Sequence, residues 1–307
     1  MSEAMVMERP GPAAMWWKAL RAYSFPASIV PCLGGAAYAA SAGAPVAWWM
    51  LPLVLLAGML LHVATNLVND AADFGKGVDH EGAQGGSGVL VAGWVTARQV
   101  YVAAFVAFGL AAVAGLPLLL ARGWPLLAIG VAGALGGYAY TGPPFGLKYK
   151  ALGEIWVFLF MGTLMVAGSA YALCGAFPPG VWAASVPIGF LVAAILTVNN
   201  QRDIRDDARL GIRTLATIFG LGGAKVVSVT MIAGAYGSVP VLWLAGVASP
   251  WAMLSWATLP LAVPPLRAVA NDGAAPLAPG TVERTAMLHM FFGVAYAAGL
   301  SIAAAVR

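Results

Sequence analysis

Long apolar stretches alternate with short polar connections along almost the whole sequence. Nine of these stretches lie near residues 24–41, 48–69, 99–121, 124–141, 152–174, 180–200, 224–246, 250–270 and 286–306. A helix needs roughly 20 apolar residues to cross the hydrocarbon core of a bilayer. The pattern therefore predicts an all-α membrane protein, a bundle of about nine transmembrane helices.

Two clusters of polar residues interrupt this pattern, at the ends of the second and sixth apolar stretches. The first contains Asn66, Asn69, Asp70, Asp73, Asp79 and Glu81, and the second contains Asn199, Asn200, Asp203, Asp206 and Asp207. Together with Glu154, they hold eight of the twelve acidic residues. Ionisable groups beside membrane-spanning segments are costly, so both clusters are candidate functional sites. Their placement, four stretches apart, suggests a weak repeat of two half-bundles facing one central cavity.

The composition supports a membrane protein and excludes an ordinary soluble domain. Hydrophobic residues make up 61% of the chain, charged residues make up 9%, and the mean hydropathy is +0.84. The net charge of +4 is explained by membrane topology and by attraction to anionic lipid. No basic patch interleaved with aromatic residues indicates nucleic-acid binding. Membrane lipid is the expected environment, and the sequence leaves the oligomeric state open.

The basic residues predict the orientation of the chain. Most of the sixteen lysines and arginines lie before the first apolar stretch, within an even-numbered connection, or next to one. The exceptions are Arg122 and Arg307. By the positive-inside rule, the N-terminus and both acidic clusters face the cytoplasm, and an odd number of spans places the C-terminus outside. We therefore expect a protein of a bacterial-type inner membrane, with its central cavity and active site open to the cytoplasmic side.

The sequence predicts a single domain, residues 1–307, with a cytoplasmic N-terminal segment over residues 1–20. No soluble domain or long linker separates the apolar stretches. Cys32 and Cys174 lie within or at the ends of apolar stretches without metal-ligand spacing, and we expect them to be packing residues. The stretch 24–41 lacks a convincing cleavage site, so it is expected to remain as the first helix.

Residue spacing within each cluster places polar side chains on common helix faces. Residues four apart on an α-helix share a face. The pairs with this spacing are Asn66 with Asp70, Asn69 with Asp73, Asn199 with Asp203, and Asp203 with Asp207. Neighbouring carboxylates repel strongly where water is scarce, and Mg²⁺ is commonly held by one or two carboxylates together with substrate phosphates. Two facing columns of oxygens therefore predict a site for magnesium and a diphosphate.

Two other interpretations of these residues are open. Asn and Asp are favoured at helix ends and in turns, but two clusters on the same predicted side favour a functional site. Asp206, His80 and Glu81 are expected to be solvated, and His62 to be a packed polar residue. A lipid or isoprenoid transporter is a different function class, and it would need charges along a path near the bilayer midplane. The sequence has no such charges.

From about residue 15 to residue 306, the chain resembles the UbiA superfamily of intramembrane aromatic prenyltransferases. The family carries an NDxxDxxxD-type motif after its second helix and a DxxxD-type motif after its sixth helix. The matching residues are Asn69, Asp70, Asp73 and Asp79, then Asp203 and Asp207. The longer spacing NDxxDxxKGxD, with YAYTGPPFGLKYKALGE and NNQRDIRDDARLGIRTLA, resembles the branch that prenylates 1,4-dihydroxy-2-naphthoate in menaquinone and phylloquinone synthesis.

The resemblance implies Mg²⁺-dependent transfer of a polyprenyl group from an allylic prenyl diphosphate to an electron-rich aromatic ring. In the naphthoate branch the ring carboxyl is lost as carbon dioxide, which gives a demethylmenaquinol-type product and diphosphate. Two magnesium ions would be held by Asp70, Asp73, Asp203 and Asp207, with Asp79 competing with Asp73. Asn66, Asn69 and Asn199 would orient these carboxylates or donate to phosphate oxygens.

Basic residues of the connections are implied as contacts to the diphosphate. Lys148, Arg202 and Arg213 are the candidates, and the two arginines offer bidentate geometry. Lys76 is a further candidate for the same role.

Aromatic residues and one glutamate are implied around the reacting groups. Tyr138, Tyr140 and Tyr149 have ring faces that stabilise an allylic cation and hydroxyls that steer an acceptor, although tyrosine is common at membrane interfaces. Glu154 would pair with Lys148, help to orient the acceptor, or serve only as a helix-start carboxylate.

Two positions depart from the family pattern. Gly88 stands where an arginine is expected, and Ile212 stands where a lysine usually precedes Arg213. Because both changes remove positive charge, other acceptors remain open: 4-hydroxybenzoate, homogentisate, or a (bacterio)chlorophyll- or haem-type ring. The Gly-rich stretch 82–88 lacks the context of a phosphate loop and predicts a mobile flap over the diphosphate. Spacing alone does not give the prenyl chain length.

Overall fold

The computed structural model describes residues 10–83, 85–271 and 277–306. Arg9 and Arg307, two of the basic residues used to predict the orientation, lie outside these ranges. The described residues form the following helices in chain order: α1 Pro12–Ala19, α2 Pro26–Ser41, α3 Leu51–Gly75, α4 Ala97–Arg122, α5 Trp124–Thr141, α6 Gly153–Val157, α7 Met165–Cys174, α8 Val181–Ala184, α9 Val186–Arg202, α10 Ile204–Arg209, α11 Leu215–Leu244, α12 Leu259–Ala270 and α13 Thr281–Ala305. Short 3-10 segments occur at Ala22–Ser24, Trp48–Met50, Leu147–Tyr149 and Pro250–Thr258, and a π-helix, Phe158–Leu164, joins α6 to α7.

Six segments in the described part of the chain are long and apolar enough to cross a membrane. They are Trp48–Gly75, Ala97–Arg122, Gly153–Cys174, Val181–Arg202, Leu215–Leu244 and Thr281–Ala305. The prediction of an all-α integral membrane protein is confirmed, and the described residues contain no β-strand, only one isolated bridge. The other three predicted spans correspond to α2, α5 and the 3-10 segment followed by α12. The count of nine spans remains a prediction.

Local sequence signals fix the helix ends that border the two polar clusters. At the start of α4, the Gln99 backbone N–H donates to Thr96 Oγ1, and the Thr96 N–H donates to the Gln99 side chain, which is a capping box. Thr214 and Thr217 form the same arrangement at the start of α11. Asp203 lies outside helical geometry, between α9 and α10. These ends position the connections that follow α3 and α9.

Small residues allow close approach of the helices in the bundle. A Cβ on Gly162 would overlap the Cα of Gly189, and a Cβ on Gly35 would overlap the backbone oxygen of Val166. Large buried side chains such as Phe292 fill the remaining space. Because lipid tails are as apolar as these side chains, packing contacts of this kind drive helix association within a bilayer.

Helices α4 and α5 carry large apolar side chains on their outer faces. Val113, Leu116, Leu120, Leu127 and Leu135 are all at least half exposed. A continuous apolar surface of this kind is unfavourable in water, and in an integral membrane protein it is suited to contact with lipid.

Candidate active site

A cavity of about 290 Å³ lies where α3 and α9 end, and it brings the two polar clusters together. Ten of the residues singled out from the sequence line it: Asn66, Asn69, Asp73, Asp79, Tyr140, Lys148, Asn199, Arg202, Asp203 and Asp207. We call this space the polar cavity. The expectation that the two clusters face one space is therefore met in the fold.

Asp73 is the most heavily bonded carboxylate of the polar cavity. Its Oδ2 accepts hydrogen bonds from Lys148 Nζ at 2.7 Å and from Asn69 Nδ2 at 2.9 Å, and its Oδ1 accepts from the Tyr149 hydroxyl at 2.6 Å. The stacking predicted for Asn69 and Asp73 is thus present. Burial alone would lower the pKa of Lys148, but the charge of Asp73, its hydrogen bond to Lys148, and the nearby Tyr140 and Asp207 together raise that pKa. The ammonium group therefore stays charged beside the carboxylate.

Asp70 is buried behind the cavity wall and pairs with a residue that the sequence analysis used only for topology. Arg21 Nη2 lies 2.9 Å from Asp70 Oδ1, and Arg21 Nη1 donates to Asn69 Oδ1 at 3.1 Å. The Ser87 backbone N–H, in the predicted flap, donates to Asp70 Oδ2 at 3.2 Å. Arg21 adopts a left-handed backbone with φ of 53°, and the Ser24 hydroxyl donates to its carbonyl oxygen.

Asp203 in the second cluster also has a basic partner. Arg202 Nε donates to Asp203 Oδ1 at 2.6 Å and Arg202 Nη2 donates to Oδ2 at 2.7 Å, a bidentate ion pair. Asn199 Nδ2 donates to the same carboxylate at 3.2 Å, as its spacing predicts. Arg202 Nη2 also donates to Asn199 Oδ1 at 2.8 Å.

Asp79 and Asp207 line the polar cavity and have no ion-pair partner within residues 10–83, 85–271 and 277–306. Burial, and then the charges of Asp73 and Asp70, raise the pKa of Asp79 to about 7. Burial and the nearby Asp203 carboxylate raise the pKa of Asp207 to about 7 as well. The cavity therefore holds more carboxylate than its own basic residues neutralise.

The donor set fits a hard divalent cation such as Mg²⁺. In the part of the chain that the structure describes, no three His, Cys, Asp or Glu side chains are grouped closely enough to hold an ion by themselves. A cation here would bind one or two carboxylates and complete its coordination with water and substrate phosphates, as Mg²⁺ usually does. Asp79 and Asp207 could take that role without the loss of an existing ion pair.

Glycine is required where the flap meets the first cluster. Gly86 has a φ of +68°, and a Cβ on it would overlap the Asp79 carboxylate. Gly85 and Gly86 both line the cavity. The predicted flap therefore lies against the site, and its closure over a diphosphate remains a prediction.

Three residues assigned from the sequence lie away from the polar cavity. Tyr138 packs against Phe105 of α4, with 6.2 Å between ring centroids, and its hydroxyl donates to the Pro143 carbonyl. Arg213 has an exposed side chain, and Lys76 is exposed with its ammonium 4.8 Å from the centre of the Tyr149 ring. None of Tyr138, Arg213 and Lys76 lines the polar cavity. The family resemblance implied contacts at the site for these residues, but the helix faces and connection paths direct them outward.

Glu154 does not make one of the contacts that the sequence led us to expect, an ion pair with Lys148. It is buried and accepts a hydrogen bond from Asn200 Nδ2 at 2.9 Å, whereas Lys148 pairs with Asp73. The pairing of Glu154 with Lys148 is therefore wrong. Glu154 instead links α6 to α9 and holds Asn200, which lines the cavity.

The structure adds an aromatic wall that the sequence analysis did not assign. Trp156 and Phe160 stack with 4.4 Å between ring centroids and an interplanar angle of 26°, and both line the polar cavity. Trp156 Nε1 donates to the Gly136 carbonyl at 2.8 Å. The two aromatics are four residues apart, but in an apolar stretch this spacing does not distinguish a cavity wall from the core.

A polar network beside Asn66 was also missed. Asn66 Nδ2 donates to Ser24 Oγ at 3.0 Å and not to Asp70, and His62 lies 2.7 Å from Ser28 Oγ and 3.4 Å from Ser24 Oγ. His62 is buried, as expected for a packed polar residue, and it also lines the cavity. A sequence signal existed for His62 and Asn66, which are four residues apart on α3 and so share a helix face, but not for Ser24, which lies in the 3-10 segment before α2.

The site can be compared with known proteins. The sequence profile described as the UbiA prenyltransferase family matches residues 28–272. The 1,4-dihydroxy-2-naphthoate octaprenyltransferase of Bacillus subtilis is 30% identical over 291 residues, which cover 93% of this chain and 92% of the relative. The 1,4-dihydroxy-2-naphthoate octaprenyltransferase of Mycobacterium tuberculosis is 33% identical over 251 residues, which cover 81% of this chain and 84% of the relative.

A solved structure shares the fold. It is that of a UbiA homologue from Archaeoglobus fulgidus bound to GPP and Mg²⁺, which superposes with a TM-score of 0.65 at 18% sequence identity. The match covers 94% of this chain and 99% of that chain. The helical architecture described above is therefore shared over nearly the full length of both proteins.

Proposed function

This chain belongs to the UbiA prenyltransferase family, and from that premise we propose that it transfers a polyprenyl group from a prenyl diphosphate to 1,4-dihydroxy-2-naphthoate in a Mg²⁺-dependent reaction. The chain is an integral membrane prenyltransferase, which argues against a transporter. We assign the reaction to the polar cavity.

The observation that carries the proposal is the meeting of two acidic clusters with three basic side chains in one buried space. Asp73, Asp79, Asp203 and Asp207 line the cavity. Arg21, Lys148 and Arg202 supply cations within the same space. A diphosphate carries several negative charges, and a site with cations of its own and carboxylates able to hold Mg²⁺ is complementary to it. The A. fulgidus homologue is bound to GPP and Mg²⁺, which supports this assignment.

The reaction requires the bond between the allylic carbon and the diphosphate oxygen to break, with the electron pair leaving on the diphosphate. Mg²⁺ bound at the carboxylates would supply Lewis-acid stabilisation of that leaving group. Lys148 and Arg202 already lie at the cavity surface as charged donors and would bind phosphate oxygens. Tyr140, Trp156 and Phe160 line the same space, and their ring faces would stabilise the allylic cation and exclude water that would otherwise capture it.

The acceptor assignment rests on the relatives. Both relatives described above are 1,4-dihydroxy-2-naphthoate octaprenyltransferases at about 30% identity. In the proposed reaction a ring carbon forms a bond to the allylic carbon, and the ring carboxyl leaves as carbon dioxide. The positions at which the sequence departs from the family pattern, Gly88 and Ile212, do not line the polar cavity.

The decisive experiment incubates the purified protein with Mg²⁺, prenyl diphosphates of increasing length, and a panel of aromatic acceptors. The panel includes 1,4-dihydroxy-2-naphthoate, 4-hydroxybenzoate and homogentisate. We expect mass spectrometry to identify a prenylated naphthalene product that lacks the carboxyl group, and we expect no product when EDTA removes Mg²⁺. A product from another acceptor alone would reject the naphthoate assignment, and no prenylated product and no diphosphate release with any acceptor would reject the proposed reaction.

Matched variants connect the activity to the cavity. Asp203→Asn and Lys148→Met should each lower kcat/KM by about 100-fold or more, a loss typical of removing one charge-stabilising group from an active site. Asp206→Asn and Lys150→Met are the controls, because Asp206 and Lys150 are exposed and outside the polar cavity. Equal losses in the test and control variants would place the chemistry elsewhere.

A further inference from the structure

Glu154 is a buried carboxylate to which the proposed reaction gives no role. The residue is 3% exposed and lies in the first turn of α6. Asn200 of α9 donates to it, with 2.9 Å between Asn200 Nδ2 and Glu154 Oε1. Burial of a carboxylate is costly unless hydrogen bonds compensate for the lost water. This contact is therefore expected to hold both side chains in one arrangement.

The chemistry of the pair fixes the orientation of the Asn200 amide. A carboxylate only accepts hydrogen bonds, whereas an amide has one donating end and one accepting end. Asn200 must therefore turn its NH₂ group to Glu154 and hold its carbonyl oxygen, Oδ1, on the other side. Within residues 10–83, 85–271 and 277–306, Asn200 Oδ1 accepts no hydrogen bond. Because Asn200 lines the polar cavity, this oxygen is available to a molecule bound there.

Asn200 is directed differently from its neighbour Asn199. Successive residues on an α-helix point about 100° apart. Asn199 Nδ2 donates to Asp203, and Asn199 Oδ1 accepts from Arg202, so Asn199 belongs to the second acidic cluster. The amide of Asn200 is held by Glu154 of α6 instead. Its free oxygen therefore has a role separate from the carboxylates to which we assign Mg²⁺.

Apolar side chains precede Asn200 on the same face of α9. Val192, Leu196 and Asn200 follow one another at four-residue spacing, so they share a helix face, and all three line the polar cavity. The aromatic wall of Trp156 and Phe160 lines the same space. A largely apolar surface with a few placed polar groups is typical of sites that bind and orient small molecules. This part of the cavity is suited to a flat aromatic ring that carries a polar group.

Close packing sets the position of Glu154. A Cβ on Gly153 would lie 3.3 Å from Leu196 Cδ2 and 3.7 Å from Tyr140 Cε2. The start of α6 is therefore packed against α9 and α5, which both contribute side chains to the cavity. Glu154 follows directly in the chain, so its carboxylate is held at a fixed distance from α9.

Of the two proposed substrates, only the aromatic acceptor has hydrogen-bond donors for Asn200 Oδ1. The ionised head of a prenyl diphosphate carries acceptor oxygens, and its tail carries no polar hydrogen. In 1,4-dihydroxy-2-naphthoate the 1-hydroxyl is adjacent to the carboxylate and can donate to it internally, whereas the 4-hydroxyl is free to donate elsewhere. The acceptor carboxylate is repelled by Asn200 Oδ1 and by the charge of Glu154 behind it. The 4-hydroxyl is therefore the group that fits this oxygen.

We propose that Glu154 is a positioning residue, which holds the Asn200 amide so that Asn200 Oδ1 accepts a hydrogen bond from the 4-hydroxyl of the aromatic acceptor. The proposal rests on the proposed function, because it takes the acceptor to bind in the polar cavity. Asn200 contacts the acceptor, and Glu154 acts through Asn200.

Glu154→Gln tests the positioning role. A glutamine both donates and accepts, so the Asn200 amide is free to turn around and present its NH₂ group to the cavity. We expect the KM for 1,4-dihydroxy-2-naphthoate to rise about 3- to 10-fold, the loss typical of one hydrogen bond between neutral groups. The KM for the prenyl diphosphate, the kcat at saturating acceptor and the affinity for Mg²⁺ should not change.

Ser228→Ala is the matched control. Ser228 is buried and donates to Gln201 Oε1 at 3.2 Å, so this variant also removes one buried hydrogen bond to α9. Neither Ser228 nor Gln201 lines the polar cavity. The KM for the acceptor should be unchanged in Ser228→Ala. An equal increase in both variants, or an effect of Glu154→Gln on Mg²⁺ affinity or on the KM for the diphosphate alone, would overturn the proposal.

An exchange of the two groups separates positioning from a purely structural role. Asn200→Asp alone places two carboxylates together and should raise the KM for the acceptor. The double variant Glu154→Gln with Asn200→Asp reverses the donor and the acceptor of the pair and keeps an accepting oxygen toward the cavity. We expect it to restore this KM to within about twofold of the unmodified protein, as one re-formed hydrogen bond allows. Restored Tm with a KM that stays raised would show that the pair is only structural.

Two competitive inhibitors test which hydroxyl is recognised, and they need no substitution at Asn200. 4-Hydroxy-2-naphthoate keeps the 4-hydroxyl, and 1-hydroxy-2-naphthoate lacks it. Glu154→Gln should raise the Ki of the first compound by the same factor as the KM of the acceptor and leave the Ki of the second unchanged. Equal or reversed changes would overturn the proposal. If the unmodified protein prenylates no acceptor at all, the proposed function itself is wrong, which is a different result.

Discussion

The single carboxylates in and beside the polar cavity form two electrostatic groups. Asp70, Asp73 and Asp203 each have one basic partner, supplied by Arg21, Lys148 and Arg202 in that order. Asp79 and Asp207 have no such partner in the part of the chain that the structure describes. Neutralised pairs stabilise the free protein, whereas unpaired carboxylates remain available to an incoming cation.

This division predicts a pH dependence of Mg²⁺ binding. Asp79 and Asp207 have pKa values raised to about 7, so they are largely protonated at pH 6 and largely ionised at pH 8. Because Mg²⁺ binds the ionised form, its binding must displace a proton below pH 7. For each carboxyl that must lose its proton on binding, we expect the affinity for Mg²⁺ to be about tenfold weaker at pH 6 than at pH 8.

Isothermal titration calorimetry in buffers of different ionisation enthalpy measures this proton release directly. The number of protons released on Mg²⁺ binding should be near zero at pH 8 and should increase as the pH falls to 6. Asp79→Asn should remove part of the release, and Asp206→Asn, at an exposed carboxyl, should not change it. Affinity that is independent of pH over this range would contradict the assignment of these two carboxylates.

The contacts of individual side chains show which pairings the residue spacing along a helix was able to predict. Asn69 with Asp73, and Asn199 with Asp203, are hydrogen-bonded as their four-residue spacing indicates. The partner of Asp70 was not predictable in this way, because Arg21 lies in a different connection and reaches it through the left-handed turn before α2. Tyr138 and Tyr140 are both expected at the site for their ring faces and hydroxyls, but only Tyr140 lines the polar cavity.

At the scale of elements, the site depends on where helices end and how closely they pack. Helix α3 carries Asp70 and Asp73 and ends at Gly75, before Asp79, while α9 stops before Asp203, and α10 starts one residue later. The first cluster therefore presents its carboxylates from a helix and from the connection after it, and the second presents Asp203 from a break between two helices. The π-helix and α9 meet at Gly162 and Gly189, beneath this region.

Gly162→Ala tests the contact between the π-helix and α9. The added methyl group would overlap the Cα of Gly189, and overpacking of this kind typically costs about 1–3 kcal/mol. We expect a lower Tm in detergent, measured by the change in intrinsic tryptophan fluorescence on heating. The expected loss of stability comes from the steric overlap. It does not come from helix propensity, because alanine has a higher intrinsic helix propensity than glycine.

The matched control for this prediction is Gly237→Ala on α11. Gly237 is also helical, and a Cβ at its position has no atom within 4 Å, so the variant has the same change in propensity without the overlap. Its Tm should stay the same or rise. If both variants have the same Tm as the unmodified protein, the helices do not pack as closely as described.

At the scale of the whole molecule, the orientation in the membrane remains a prediction from the charge distribution. The positive-inside rule places the connection between α9 and α11 in the cytoplasm and the connection between α7 and α8 outside. In a variant without Cys32 and Cys174, single cysteines at Asp206 and Phe177 probe these two connections. Both native residues are exposed.

A membrane-impermeant maleimide should label Phe177→Cys in intact cells and Asp206→Cys only after permeabilisation. The expected pattern follows from the basic residues, which lie mainly on the Asp206 side. Labelling of both cysteines after permeabilisation shows that both are accessible. The reverse pattern in intact cells would invert the topology and place the polar cavity on the outer side.

The sequence by itself determined the class of protein and the local geometry of its two polar clusters. Helical periodicity fixes which residues share a face, so pairs such as Asn69 and Asp73 follow from spacing alone. Long apolar stretches require helices because backbone polar groups in a bilayer must be hydrogen-bonded within the segment. The single-domain organisation over residues 1–307 and the nine-span count remain predictions of this kind.

Only the tertiary structure decided which residues meet across helices. The ion pairs of Arg21 with Asp70 and of Lys148 with Asp73 join elements that are far apart in the chain. Their contacts depend on helix packing, turn geometry and the positions of glycines such as Gly136, and none of these leaves a fixed spacing in sequence. Aromatic residues in an apolar stretch have the same pattern whether they line a cavity or the core, so the wall formed by Trp156 and Phe160 became visible only in the fold.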